Sequence, residues 1–390
     1  MTTTSASSEN LIRRAAALVP ALRERAAAAE EMRRLPPETF DLLSGADVFR
    51  MTAPKRFGGH EADFITQCRA LAEIARGCAS SSWVGTILSA MSWLVGTFPD
   101  EAQEEVFDSK DPRISGVFAP TGTAVAKDGG YVVSGRWGYN TGGHGSDWTI
   151  VNAMSDGSQG EPVPLCALVR SRELKRLDDW FASGMTATGS SSIVAEEIFV
   201  PAHRVQPLPA MVEGHYAASR SADNPYFRYP LAAVLSVNAA GTPVGIARAA
   251  LELFRERIEG RPITYTTYAN KAEAPVTHLQ IGEAALTIDS ADAHMRLACA
   301  VLDDRPGESL SMLERVTARA HVSAATRYAR DAVDALFYAS GASAIQSHVP
   351  IQRVQRDIQA LSNHAIMHPQ TTFELYGRVL CGLEPNTPIV

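Results

Sequence analysis

Apolar positions recur at helical spacing over the first hundred residues. Leu11, Ala15, Leu18 and Leu22 mark one face of an Ala-rich helix over Glu9–Glu31, stopped by Pro36-Pro37. A second helix begins at Pro37, carries Phe40, Leu42 and Leu43, and ends at Gly45. Pro54 through Gly58-Gly59 reads as a rigid turn. Ala62–Gly77 reads as another helix, Ser80–Phe98 as a buried one and Glu101–Phe107 as a short amphipathic one. Beyond Asp111-Pro112 the period shortens to two. Strands are expected over Ile114–Val125, Tyr131–Trp137, Trp148–Ala153, Pro164–Val169 and Ser192–Phe199, with a hairpin turn at Lys127–Gly130. They predict a small antiparallel barrel or sandwich. After a polar, Tyr-rich linker over Glu213–Tyr229, four long helical stretches follow: Leu231–Glu259, Pro275–Leu302, Leu310–Ser340 and Pro350–Leu380. Short gaps between them predict an antiparallel bundle.

The pattern therefore predicts a mainly α protein with a central β domain: helices over 1–112, strands over 113–208 and a helical bundle over 209–390. Apolar faces such as Ile281/Ala285/Ile288 and Val316/Ala320/Ala324 are expected to meet another copy of the chain. Composition changes this picture little. Apolar residues make up 45% and charged residues 20% of 390, an ordinary globular balance. The net charge of −7 argues against nucleic acid or an anionic membrane as the main partner. The apolar run from Trp83 to Phe98 is short for a membrane span and broken by Ser and Gly. Five scattered cysteines lack metal-like spacing, and an odd count suggests reduced thiols in a cytoplasm. Met1–Asn10, Ser/Thr-rich and without an apolar core, reads as a disordered tip. No metal site is expected. No P-loop or dinucleotide fingerprint is present, so reducing power has to come from elsewhere.

Candidate chemistry concentrates in three stretches. The polar loop Asn140-Thr141-Gly142-Gly143-His144-Gly145 follows Trp137. Thr188-Gly189-Ser190 precedes the last main strand. Arg356-Asp357 and His364 lie on an amphipathic helix whose apolar positions are Ile351, Val354, Ile358 and Leu361. An isolated histidine is usually structural, so His364 takes its interest from context.

That context resembles the acyl-CoA dehydrogenase superfamily. The order of helices, β domain and four-helix bundle matches, as do Pro54…Phe57-Gly58-Gly59, Gly130–Trp137, Gly184-Met185…Thr188-Gly189-Ser190 and Glu197–Pro201. The run Thr188–Ser191, Pro350–Arg353 and Arg356-Asp357…His364 resemble one branch of it, the oxygenase components of two-component flavin monooxygenases. The resemblance implies reduced FMN or FAD delivered by a separate flavin reductase, O2, a C4a-(hydro)peroxyflavin, a small-molecule substrate and a homotetramer. True dehydrogenases of the superfamily carry a catalytic glutamate near the place of His364, and no glutamate lies between Gln352 and Thr372. A dehydrogenase-like flavin oxidoreductase or a non-enzymatic scaffold are the alternatives.

Residue by residue, the resemblance implies His364 as the catalytic imidazole, titrating near neutral pH. It implies Thr141, in the serine position of a W-x-x-S-S-G motif, as a hydroxyl near flavin N5. Flavin contacts are expected from Phe118, Ala119, Pro120, Gly122, Trp137, Asn140, Thr188, Gly189 and Ser190. Arg261, Gly341 and Ala342 are expected to reach the flavin of a neighbouring subunit. Substrate contacts are expected from Met91, Trp93, His144 and His364. Met91 stands where phenol hydroxylases of the branch carry a histidine, and Gln359 where a second histidine is common. Both departures bear on the substrate.

Overall fold

The computed structural model describes residues 6–158 and 160–390. The N-terminal helices are α1 (Ala6–Ala17), α2 (Val19–Glu31), α3 (Pro37–Gly45), α4 (Phe64–Gly77), α5 (Ala79–Val95) and α6 (Asp100–Phe107). Helix already covers Ala6–Asn10, so the expected disordered tip does not hold there, and its first five residues lie outside the described ones. The single long helix predicted to Glu31 is broken at Leu18, because Pro20 in the first turn of α2 cannot donate to the preceding turn. Asp63 caps α4 by accepting from Thr66 N at 3.0 Å. Asp303, far along the chain, accepts from Phe64 N and Ile65 N at 2.8 and 2.9 Å, tying that helix start to the C-terminal bundle.

The strands are β1 (Ile114–Lys127), β2 (Gly130–Trp137), β3 (Trp148–Ser155), β4 (Pro164–Arg170), β5 (Lys175–Arg176), β6 (Ile193–Pro201) and β7 (Val205–Pro207). They form one sheet in the order β5-β6-β2-β1-β3-β4-β7. The sheet is mixed rather than wholly antiparallel: the loop after β2 carries the chain across β1, so β3 pairs with β1 in parallel. Side chains of β1, β2, β3, β4 and β6 meet in one apolar cluster around Trp137. The β1–β3 register slips from Val117↔Val151 to Gly122↔Ala153, which pushes Phe118–Thr121 out as a bulge.

The C-terminal helices are α7 (Leu208–Val212), α8 (Leu231–Asn238), α9 (Gly241–Ile258), α10 (Pro275–Asp303), α11 (Met312–Ala339), α12 (Pro350–Ser362) and α13 (Pro369–Leu380). Two of the four predicted stretches are each divided in two. Leu231–Ile258 is long and apolar enough to cross a membrane, but 89% of its most apolar window is buried inside the protein. Gly241 and Gly245 let α9 press on α4: a Cβ there would fall 2.2 and 2.1 Å from the carbonyls of Cys68 and Ala72. Ile288, Val316, Ala320 and Ala324 are buried within the chain itself, so these are not the apolar groups left for a partner.

Candidate active site

Helix α5 is buried along nearly its whole length and carries both halves of the site. Its Trp83 meets His364 edge-on, with ring centroids 5.1 Å apart. The adjacent Val84 and Leu88 pack where a side chain on Gly142 would stand: a Cβ there would come within 3.0 Å of both. The Thr141 loop and the His364 turn are thus seated on neighbouring positions of one helix.

His364 sits in the tight turn between α12 and α13 because Pro369 starts a new helix. The turn is closed by Met367 N and His368 N, which donate to the His364 carbonyl at 2.8 and 2.9 Å. From α11, Arg319 donates to the Ala365 carbonyl at 3.0 Å and to that of Ile389 at 3.2 Å. Burial, with Arg319 adding its charge, pushes the His364 imidazole down to about 4. The expected titration near neutral pH is therefore corrected: the ring is neutral. Its Nδ1 accepts from Ile366 N in a long bond of 3.4 Å, which puts the ring proton on Nε2.

The second group of candidate residues is built from hydroxyls. Thr141 Oγ1 lies 2.8 Å from Ser190 Oγ, and Ser190 Oγ lies 2.7 Å from Thr188 Oγ1. Thr188 Oγ1 donates to the Met185 carbonyl at 2.8 Å. Backbone bonds from Asn140 N to Ser191 O (3.2 Å) and Gly142 N to Thr188 O (3.0 Å) lace the two loops together. Tyr139, Met185 and Gly189 all have positive φ, at 62°, 54° and 56°. Such a cluster of left-handed residues marks loops held in shape by their surroundings. Asn140 is buried; its amide donates to Ser115 Oγ at 3.1 Å while its Oδ1 has no partner among the described residues.

Helix α12 holds the second loop from behind. Asp357 accepts from Met185 N at 2.6 Å, and Arg356 donates to the Ser183 carbonyl at 2.6 Å. Gly184 fits between them only without a side chain, since a Cβ would fall 2.1 Å from the Arg356 carbonyl. Burial pushes Asp357 up to about 7, against the pull of Met185 N and of Arg353. The Arg-Asp doublet stood out in the sequence, but its partner loop lies 172 residues away. Trp83 and Arg319 escaped sequence reasoning for the same reason, since both meet the His364 turn only through the fold.

The remaining expected site residues are placed unevenly. Ala119 and Pro120 are exposed on the β1 bulge and Phe118 is half-buried beside them, its carbonyl accepting from Asn152 Nδ2 at 2.8 Å. Trp137 is fully buried beneath the bulge and donates to the Asn152 carbonyl at 2.7 Å. A Cβ on Gly122 would lie 2.3 Å from its ring. Trp137 therefore shapes the bulge from below. Met91 and Trp93 are core residues, 1% and 0% exposed. Met91 Sδ fills the space over Gly116, and Trp93 donates to the Tyr226 carbonyl at 2.8 Å. His144 is half-buried against Gly189, 3.3 Å from Ser191 Oγ. Burial and then the nearby Arg176 and Arg34 push it down to about 4. Arg261, Gly341 and Ala342 are exposed and distant in sequence from both loops. Among the described residues, one group has metal-like spacing: Glu101, Glu105 and His203. Arg204 donates to Glu105 at 2.8 Å, so the group reads as an ion-pair network joining α6 to the turn after β6.

Residues 9–107 match the family of the acyl-CoA dehydrogenase N-terminal domain, and residues 237–369 that of the C-terminal domain. Over 374 residues the chain is 32% identical to the flavin-dependent monooxygenase oxygenase subunit HsaA of Rhodococcus jostii (strain RHA1), covering 94% of this chain and 97% of that one. The chain belongs to the flavin-dependent monooxygenase oxygenase components. This oxygenase is also 32% identical over 391 residues to the FADH(2)-dependent resorcinol hydroxylase oxygenase component of Rhizobium sp. (strain MTP-10005), covering 96% of this chain and 95% of that one. Among solved structures, XiaF from Streptomyces sp. in complex with FADH2 and glycerol superposes with a TM-score of 0.93 at 32% identity, covering 99% of this chain and 98% of that one. The monooxygenase is thus an enzyme that uses reduced flavin, on an acyl-CoA dehydrogenase fold.

Proposed function

We propose that this monooxygenase hydroxylates a small aromatic substrate held against the Trp83–His364 pair, with the flavin against the β1 bulge and Thr141. The observation that carries the reading is the seating of a neutral, half-buried imidazole and a buried hydroxyl cluster on one stretch of α5. The residues fit a flavin. The exposed stretch Ala119-Pro120-Thr121 offers backbone polar groups for a flat polar edge, and Asn140 Oδ1 is a buried acceptor without a partner among the described residues. Bound reduced flavin supplies the two electrons that activate O2, one oxygen atom going to the substrate and the other to water. The protein's share is placement. His364 offers Nε2–H to an oxygen on the substrate, and Trp83 gives an aromatic ring an edge or face to lie against. A hydrogen bond of this kind to a phenolate oxygen contributes about 1.5–3 kcal/mol.

The substrates for which related oxygenases are named support an aromatic substrate: resorcinol, p-hydroxyphenylacetate and indole-3-acetate. Two-component oxygenases draw reduced flavin from a separate reductase, and we assign such a partner here. We also assign a cytoplasmic location, in keeping with five free cysteines. The assembly we propose is a homotetramer. Leu279, Leu286 and Leu297 lie exposed along one face of α10, and Tyr338 and Ile345 stand exposed beside Gly341-Ala342. Arg261, Gly341 and Ala342 would then serve a neighbouring subunit's flavin. The test is a panel of phenols and indoles incubated with reduced FMN or FAD and O2. Products heavier by one oxygen atom are expected from aromatic compounds, and His364→Ala is expected to lower their yield. Turnover confined to non-aromatic amines or sulfides would overturn the substrate class.

A further inference from the structure

We propose that Thr141, Ser190 and Thr188 form a one-way hydrogen-bond chain, ending on the Met185 carbonyl, that turns Thr141 into an acceptor toward the ligand and so selects reduced over oxidised flavin. This rests on the flavin placement proposed above. Each hydroxyl has one proton to give. The Met185 carbonyl can only accept, so the Thr188 proton, 2.8 Å away, is committed to it. Ser190 and Thr188 are 2.7 Å apart, and with Thr188 committed the proton between them is Ser190's. By the same step the proton in the 2.8 Å contact between Thr141 and Ser190 belongs to Thr141. Exposure falls along the chain from 6% at Thr141 to 4% at Ser190 and 2% at Thr188, so Thr141 is the outer end and bulk water does not scramble the direction.

The inner end is fixed. Met185 is held at a φ of 54°, its N–H donates to Asp357 at 2.6 Å, and its carbonyl also accepts from Thr188 N at 3.1 Å. Reversing the chain requires all three hydroxyls to turn and leaves the Met185 carbonyl facing a bare oxygen at 2.8 Å. Thr141 therefore shows lone pairs, not a proton, to its ligand. The central ring of a reduced isoalloxazine carries an N–H where the oxidised ring has a bare nitrogen lone pair. An acceptor hydroxyl pairs with the first and is repelled by the second. Such a preference suits a protein that must take up reduced flavin and release the spent form.

The test is the ratio of dissociation constants for oxidised and reduced flavin, measured with FMN and with FAD by absorbance and fluorescence titration, anaerobically for the reduced forms. Ser190→Ala removes the acceptor that holds the Thr141 proton. Thr188→Val removes the acceptor for Ser190, whose proton can then turn to Thr141. Either substitution frees Thr141 to donate outward, and either alone probes the chain should the other fail to fold. In each, oxidised flavin is expected to gain on reduced flavin by about 3- to 10-fold, one hydrogen bond's worth. Ser190→Thr and Thr188→Ser keep the hydroxyls and are expected to restore the parent ratio. Should Thr141→Val weaken flavin binding while Ser190→Ala and Thr188→Val leave the ratio unchanged, the directed chain is wrong and the flavin placement stands. Should none of the three alter either affinity, the flavin does not lie beside Thr141 and both readings fall.

Discussion

Asp357→Asn tests how α12 holds the loop of the hydroxyl cluster. The carboxyl is buried, accepts from Met185 N at 2.6 Å, and is pushed up to about 7 because burial outweighs its hydrogen bond and the neighbouring arginines. Part of the arginine charge is drawn off by Glu30, which accepts from Arg356 at 2.5 Å. Between about pH 4 and 7 the folded protein keeps a proton that the unfolded chain has released, so stability contributed by this group is lost as pH rises. The gap between 3.8 and about 7, at about 1.36 kcal/mol per pH unit, sets a ceiling of about 4 kcal/mol. Asparagine keeps an oxygen for Met185 N–H and cannot ionise. The variant should exceed the parent modestly at about pH 5, where about 1.6 kcal/mol of that ceiling is already lost, and by several degrees in thermal midpoint at about pH 8, at roughly 2 °C per kcal/mol. Circular dichroism melts at fixed scan rate over that pH range make the comparison, the rate being held because large assemblies unfold irreversibly. A variant less stable than the parent by a similar margin at both about pH 5 and about pH 8 would refute the reasoning. It would show that Arg353 and Arg356 hold Asp357 charged.

His364→Ala should slow product formation about 10- to 100-fold, the worth of one hydrogen bond to a charged oxygen, with flavin affinity intact. Because the ring is pushed down to about 4, parent rates between about pH 6 and 9 should show no step from His364, and its acid sensitivity should appear as stability lost while pH falls from about 6.5 toward 4. Thr141→Ala should raise hydrogen peroxide released per reduced flavin in a peroxidase-coupled assay while substrate affinity stays within about 3-fold, less than one neutral hydrogen bond. Gly184→Ala, with its Cβ 2.1 Å from a backbone carbonyl, should cost more than about 2 kcal/mol and show as a lowered thermal midpoint. Light scattering should report four chains for the parent and fewer for Leu286→Glu on the exposed face of α10.

The layout of the fold was legible because period and punctuation suffice for it: Pro36-Pro37, Asp111-Pro112 and the glycine turns separate segments of different spacing. The parallel pairing of β1 with β3 was not, since alternation fixes which side chains face inward but not which edge a returning strand joins. Helix breaks at Leu18 and Asn363 follow from Pro20 and Pro369, yet the apolar pattern runs on through both. Within the candidate site, Thr141, Thr188, Ser190 and His364 stand out as residue types. What they do depends on partners that spacing cannot supply: Trp83 against His364, Arg319 behind it, and Asp357 on Met185. Met91 and Trp93 show the converse. Their positions in a motif suggested a ligand, whereas the packing of α5 on β1 and on Tyr226 makes them core.

On the function proposed above, reduced flavin and O2 together oxygenate an aromatic substrate on this chain. The direct measurement mixes the purified protein with chemically reduced flavin, an aromatic substrate and isotopically heavy O2, then weighs the product by mass spectrometry. One heavy oxygen atom per product molecule is expected, formed without any reductase once reduced flavin is supplied. Product oxygen drawn from water, or substrate that is only dehydrogenated and carries no new oxygen, would contradict it.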